Sequence, residues 1–292
     1  MFKGSIPALI TPFKKGVVDE DCFRAFVEWQ IEEGSDGLVP CGTTGESPTL
    51  SHAEHMKVTE ICIEQANGRV PVIAGAGSNS TQEAIGLAQH AKDAGADAVL
   101  VVTPYYNKPT QKGMYEHFKA VQEVGSPVII YNIPPRSVVD MTPETMAKLA
   151  KLPNIVGVKD ATCDLGRPQV TRVAMSGDED FCFLSGEDGT AVPFLAAGGA
   201  GCISVTANVA PRMCAEMQRK WRDLDIKGCM ELQERLTPLH SALFCETSPG
   251  PVKFAASLLG KCSAETRLPM TQITEDSKTE VRQALVDLGL LN

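Results

Sequence analysis

Eight short apolar runs, spaced almost evenly and each closed by turn residues, constrain this chain more than any other feature. They cover residues 6–10, 37–41, 70–74, 98–102, 128–131, 155–159, 181–185 and 201–205, and their starts lie 31, 33, 28, 30, 27, 26 and 20 residues apart. Continuous Val/Ile-rich runs of this length suit strands buried on both faces, as in a parallel sheet. The stretches between them carry helix-start chemistry. Ser51 stands three residues before Glu54 and Ser80 three before Glu83, the spacing of a capping box. Thr142-Pro143 places a cap before a proline at the first helical position. Gly68, Gly95 and Gly125 fall where these helices should stop. Strand then helix, eight times over, predicts an α/β protein with a (β/α)8 TIM barrel. A doubly wound open sheet is the alternative, but equal units and the lack of G-x-G-x-x-G after the first strand count against it. After Val205 the pattern turns all-helical, over residues 208–224, 225–244, 251–259 and 277–290. The division expected is a catalytic barrel over residues 1–224 and a C-terminal helical extension over 225–292, packed on the barrel or on a neighbouring subunit.

With 292 residues, 43% of them hydrophobic, the chain can bury one large core. Its net charge of -9 and the lack of a Lys/Arg cluster argue against nucleic acid as a partner. No run approaches the ~20 apolar residues of a membrane helix. Ten cysteines without a C-x-x-C pair predict buried free thiols and a cytoplasmic protein, not a zinc or redox motif.

Lys159 ends the run Ile155-Val156-Gly157-Val158-Lys159, with Asp160 next. A lysine at the C-terminal end of a buried strand places its amine in a partly dry cavity. Desolvation there favours a neutral amine, which attacks carbonyls to form Schiff bases. The same lysine could simply pack its stem inside and pair with Asp160. Barrel active sites lie at the C-terminal strand ends, and other polar residues pass that filter. The second strand ends in Gly42-Thr43-Thr44-Gly45-Glu46, whose hydroxyls and amides could hold a small carboxylate, though a glycine-permitted turn fits equally well. The fourth ends in Thr103-Pro104-Tyr105-Tyr106-Asn107, the fifth in Tyr131-Asn132 with Arg136 following, and the seventh in Ser185-Gly186. A phenol such as Tyr131 could exchange protons only through a relay or beside a cation. Arg136 suits a substrate carboxylate. His52 and His55 lack a third ligand at metal spacing, so no metal is expected. Gly75-Ala76-Gly77 and Gly198-Gly199 match no Walker pattern and read as turns.

These residues resemble the dihydrodipicolinate synthase family of pyruvate-dependent class I aldolases, relatives of the sialic-acid lyases. The resemblance rests on Gly42-Thr43-Thr44-Gly45-Glu46, Val102-Thr103-Pro104-Tyr105-Tyr106-Asn107, Tyr131-Asn132-Ile133-Pro134 with Arg136, Gly157-Val158-Lys159 and Leu184-Ser185-Gly186-Glu187-Asp188, and runs over residues 2–292. It implies an imine between Lys159 and pyruvate, with no other cofactor, and condensation with L-aspartate 4-semialdehyde on the diaminopimelate route to lysine. It implies Tyr131 as proton shuttle, with Thr43 linking it to a Tyr106 supplied by a neighbouring subunit. Thr44, backbone groups near Ile203, and Gly186 would hold pyruvate, and Arg136 the carboxylate of the semialdehyde. A homotetramer built as a dimer of dimers follows. So does a feedback site for L-lysine made of His52, His55, Asn79, Glu83, Tyr105 and Pro48. Pro48 stands where relatives often have alanine, Ser137-Val138 where many have Thr-Gly, Asp160 where glutamate is frequent, and Cys163-Asp164 where Gly-Asn is. The rival readings are a sibling aldolase cleaving a 2-keto sugar acid and a non-catalytic metabolite-binding barrel.

Overall fold

The structure is a computed structural model that describes residues 2–176 and 180–291. The chain opens with β1 (Gly4–Pro7), a small hairpin of β2 (Phe13–Lys14) and β3 (Val17–Val18), α1 (Glu20–Glu32) and α2 (His52–Ala66). Strands and helices then alternate: β4 (Ile73–Gly75), α3 (Thr81–Ala94), β5 (Ala98–Val102), α4 (Gln111–Gln122), β6 (Val128–Asn132), α5 (Pro134–Ser137), α6 (Pro143–Leu149), β7 (Ile155–Asp160), α7 (Arg167–Met175), β8 (Cys182–Ser185), α8 (Ala191–Ala196), β9 (Gly201–Ser204) and α9 (Pro211–Arg222). The extension is α10 (Ile226–Ala242), α11 (Gly250–Leu258) and α12 (Glu275–Asp287).

Seven parallel strands form one sheet in the order β1-β9-β8-β7-β6-β5-β4. The eighth place is taken by Leu38 and Val39, which bridge Val72 on one side and Ala8 on the other and close the barrel. The expected strand over 37–41 is thus cut to two residues. Pro40 has no N–H to donate, and Cys41 turns into the left-handed region at φ +56°. There the two backbones nearly touch: a Cβ on Gly75 would lie 2.1 Å from the Cys41 carbonyl oxygen. The β2–β3 hairpin has no counterpart among the expected elements.

Strand alternation sorts the core. Ile6, Ala8, Val39, Ile73, Ala98, Leu100, Ile129, Cys182, Leu184 and Ile203 point inward and fill the barrel with one cluster. Their neighbours Val99, Val101, Ile130, Val158 and Phe183 point outward against helices α3, α4, α6, α7 and α8. Both faces are therefore dry, which is why the runs read as apolar without alternation.

Helix starts follow the sequence only in part. Ser51 and Glu54 form the full reciprocal capping box. Ser80 accepts from the Glu83 N–H, but the Glu83 carboxylate turns away to Ser78 and His52. The Ser80 N–H is already taken by Ser78 Oγ at 3.0 Å, so the box has no second donor. Thr142 caps α6 as expected. Gly68, Gly95 and Gly125 all adopt positive φ at helix ends. Among the described residues, no helix is long and apolar enough to cross a membrane.

Candidate active site

A cavity of about 570 Å³ opens at the C-terminal end of the barrel. Lys159 stands in it, 5% exposed, with Nζ 4.1 Å from the centroid of the Tyr131 ring. The two are register partners on β7 and β6, each the last inward-pointing residue of its strand. Among the described residues, the Lys159 amine has no ion pair; its neighbour is the electron-rich face of the phenol. The alternative pairing with Asp160 is not made. Consecutive strand residues face opposite sides, and Asp160 points outward, where its carboxylate accepts from the Thr162 N–H at 2.8 Å and hydroxyl at 2.7 Å. Burial raises the Asp160 pKa, against those hydrogen bonds and the charge of Arg167.

Thr43 and Thr44 line the same cavity from the turn after the irregular strand. That turn is held by its own backbone, with the Glu46 N–H donating to the Thr43 carbonyl at 3.1 Å, and by Thr11 Oγ1 donating to the Gly45 carbonyl at 2.7 Å. It is also anchored below. Glu46, left-handed at φ +55°, meets Lys253 of α11 at 2.7 Å, and both side chains are almost wholly buried. Burial pushes the Lys253 ammonium down, and Glu46 opposes the shift.

Gly186 packs under Lys159. A Cβ there would lie 2.8 Å from the Ala161 Cβ and 3.2 Å from the Lys159 Cε, so only glycine fits the floor. Ile203 is inward-facing and buried on β9, beneath the cavity, and does not line it. Arg136 lines the rim from α5, exposed and unpaired among the described residues. Tyr106 does not reach this cavity. It is 88% exposed, at φ +70°.

Sequence reasoning missed part of the wall. The segment 244–248, between α10 and α11, lines the cavity mouth with Phe244, Glu246 and Ser248. Its one signal was a polar break, Glu246-Thr247-Ser248, between two apolar helices. Glu187, present in a noted motif but given no role, also lines the cavity, and burial raises its pKa.

A second cavity, of about 250 Å³, lies behind the same turn and gathers Pro48, His52, His55, Glu83 and Tyr105. His52 Nε2 meets Glu83 Oε1 at 2.7 Å. Burial lowers His55 to about 4 and leaves its Nδ1 without a partner among the described residues. Burial also raises the Tyr105 pKa, with hydrogen bonds from the Asn79 backbone and the Ser78 side chain opposing it. Asn79 is thus adjacent to this cavity without lining it. Among the described residues, no group of three or more His, Cys, Asp or Glu is placed to hold a metal ion.

The Dihydrodipicolinate synthetase family model matches residues 1–288. This chain belongs to that family. The 4-hydroxy-tetrahydrodipicolinate synthase of Rhodospirillum centenum is 64% identical over 292 residues, spanning the whole of both chains. The crystal structure of the chloride-inhibited dihydrodipicolinate synthase from Acinetobacter baumannii complexed with pyruvate is 45% identical, with a TM-score of 0.96 over 100% of both chains. The structure of the family member from Cyanidioschyzon merolae with lysine bound is 39% identical, with a TM-score of 0.95 over 99% of each chain. The TIM barrel with a helical C-terminal part is therefore the fold of the dihydrodipicolinate synthetase family, a family of lyase-type enzymes.

Proposed function

We propose that this chain is a 4-hydroxy-tetrahydrodipicolinate synthase, condensing pyruvate with L-aspartate 4-semialdehyde on the route to lysine. The observation that carries the reading is the unpaired Lys159 amine held in the cavity against the Tyr131 ring. The amine attacks the pyruvate ketone, water leaves, and an imine forms. Loss of a methyl proton gives the enamine, whose carbon attacks the semialdehyde's aldehyde. The amine of that substrate then attacks the imine carbon, closes the ring and frees Lys159. No other cofactor takes part. Tyr131 carries protons beside the imine. Thr44, the Gly186 floor and the backbone around Ile203 hold pyruvate, and Arg136 takes the second carboxylate at the rim. Thr43 links Tyr131 to a Tyr106 from a neighbouring copy. The exposure of Tyr106, away from its own cavity, supports a homo-oligomer, read here as a tetramer of two dimers. Ten unpaired cysteines support a reducing, cytoplasmic setting.

Borohydride reduction in the presence of pyruvate tests the reading. Peptide mapping should find one reduced pyruvate on Lys159. A folded chain that traps nothing would remove the Schiff-base mechanism and favour a barrel that only binds a metabolite. Trapping together with turnover of a 2-keto sugar acid, and none of the semialdehyde, would favour the sibling aldolase.

The second cavity is read as a feedback site for L-lysine, formed by His52, His55, Glu83, Tyr105 and Pro48, with Asn79 beside it. Its carboxylate, phenol and imidazoles suit an amino acid with two charged ends. L-lysine should slow turnover in wild type and lose that effect in Glu83→Ala; equal turnover with and without L-lysine would eliminate the reading.

A further inference from the structure

The loop that carries Arg136 is gripped from behind by groups outside the cavity. It leaves β6 at Asn132, turns through α5, and passes Val138, an exposed valine at φ +68°. A branched side chain is strained in that region, so backbone preference alone does not set the loop's path. Ser137 Oγ stitches the turn, its single proton shared between the Ile133 and Val139 carbonyls at 2.9 and 3.1 Å. The far end is pinned by three side chains from other elements. Asn132 Nδ2 donates to Asp140 Oδ1 at 2.7 Å, and its Oδ1 accepts the Met141 N–H at 3.1 Å. Gln111 Nε2 donates to the Asp140 carbonyl at 2.7 Å and its Oε1 accepts the Thr142 N–H at 3.1 Å. Arg167, at the start of α7, ion-pairs with the other Asp140 oxygen and donates to the Met141 carbonyl at 3.0 Å.

Arg167 is well packed, with only 15% of its side chain exposed, and it faces Asp164 at 3.9 Å as well. It does not line the catalytic cavity. Its fork serves the base of the loop on two atoms at once, a geometry that lysine cannot copy. Arg136, by contrast, has no partner among the described residues, so nothing but its loop aims it.

We propose that Arg167 and Asp140 are positioning residues that fix the Arg136 guanidinium at the cavity mouth and thereby set affinity for the carboxylate of the second substrate. This rests on the reading that Arg136 holds that carboxylate. The clamp explains how a loop with Ser137-Val138 after the arginine can still present it: the fixed point lies at Asp140, beyond the strained valine.

Steady-state kinetics of the full chain test the proposal through Asp140→Asn and Arg167→Lys, which keep shape or charge but lose the two-atom grip. KM for L-aspartate 4-semialdehyde should rise about tenfold to a hundredfold, the scale expected when a binding group is misplaced by about an ångström. KM for pyruvate and the rate of borohydride trapping on Lys159 should stay unchanged. In an Arg136→Ala background the same substitutions should add nothing, because they act through that guanidinium. An unchanged semialdehyde KM overturns the proposal. So does a parallel rise in both KM values, or full additivity with Arg136→Ala, since either marks a general structural role. If Arg136→Ala itself leaves the semialdehyde KM unaltered, the reading of Arg136 fails, and the clamp's proposed purpose fails with it.

Discussion

At the scale of single residues, strand alternation decides what Lys159 can do. Sequence adjacency suggested Asp160 as a partner, but the two side chains leave the strand on opposite faces, and Asp160 is engaged by Thr162. Lys159 was legible as a candidate because an apolar run ends on a charge. That its neighbour is an aromatic face, 4.1 Å away across the sheet, does not follow from the run itself, since register is set by the whole barrel; only the family resemblance put Tyr131 beside the imine. Arg136 was likewise legible as a rim cation, while its anchor Arg167 was not: an arginine 31 positions later, opening a helix, gives no sign that it holds the same loop. Tyr131 offers the sharpest test at this scale. Tyr131→Phe keeps the ring beside Lys159 and removes only the hydroxyl. A lost proton shuttle should lower kcat by about 100-fold to 10,000-fold, while pyruvate can still be trapped on Lys159, only more slowly. Turnover close to wild type would show that another group moves the proton.

At the scale of elements, what was readable is what local chemistry determines. The runs that became β5, β6 and β7 were placed to within a residue, because burial on both faces leaves a continuous apolar signature. The helix caps at Ser51 and Thr142 were readable for the same reason: donor and acceptor lie three residues apart on the chain. The second strand was only half readable. Its apolar run is real, and Leu38 and Val39 do close the barrel, but the left-handed turn at Cys41 depends on Gly75 of the next strand, 34 positions away. The capping box at Ser80 failed in the same way. Glu83 has a local partner in principle, yet Ser78 and His52 compete for its carboxylate, and His52 comes from another helix. This competition builds the second cavity, so the departure from the local rule falls at a candidate functional site.

At the scale of the whole molecule, the barrel and its helical extension share their core. One cluster joins Leu9, Ile10, Phe13 and Phe23 near the start of the chain to Leu232, Leu236, Leu239, Leu243, Val252, Val281 and Leu285 near its end. The seven aliphatic side chains from the extension represent roughly 10–20 kcal/mol of gross burial at about 1.5–3 kcal/mol each. That is comparable to the whole net stability of a typical domain, about 5–15 kcal/mol. The extension also supplies Lys253, whose removal would leave the buried Glu46 carboxylate beneath the Thr43-Thr44 turn without its ion-pair partner, held by the Arg267 N–H at 3.0 Å. A boundary at residue 224 is natural in the sequence, where strands stop alternating with helices, but the side chains on either side of it pack into one another. Ending the chain after Leu224 should therefore yield a protein that aggregates or melts without a cooperative transition, not a smaller working barrel. Calorimetry and far-UV circular dichroism of the truncated chain would decide it. A sharp, reversible unfolding transition would mean that the barrel folds alone and that the extension merely docks on it, and pyruvate trapping by that fragment would then show how much of the site survives without its C-terminal wall.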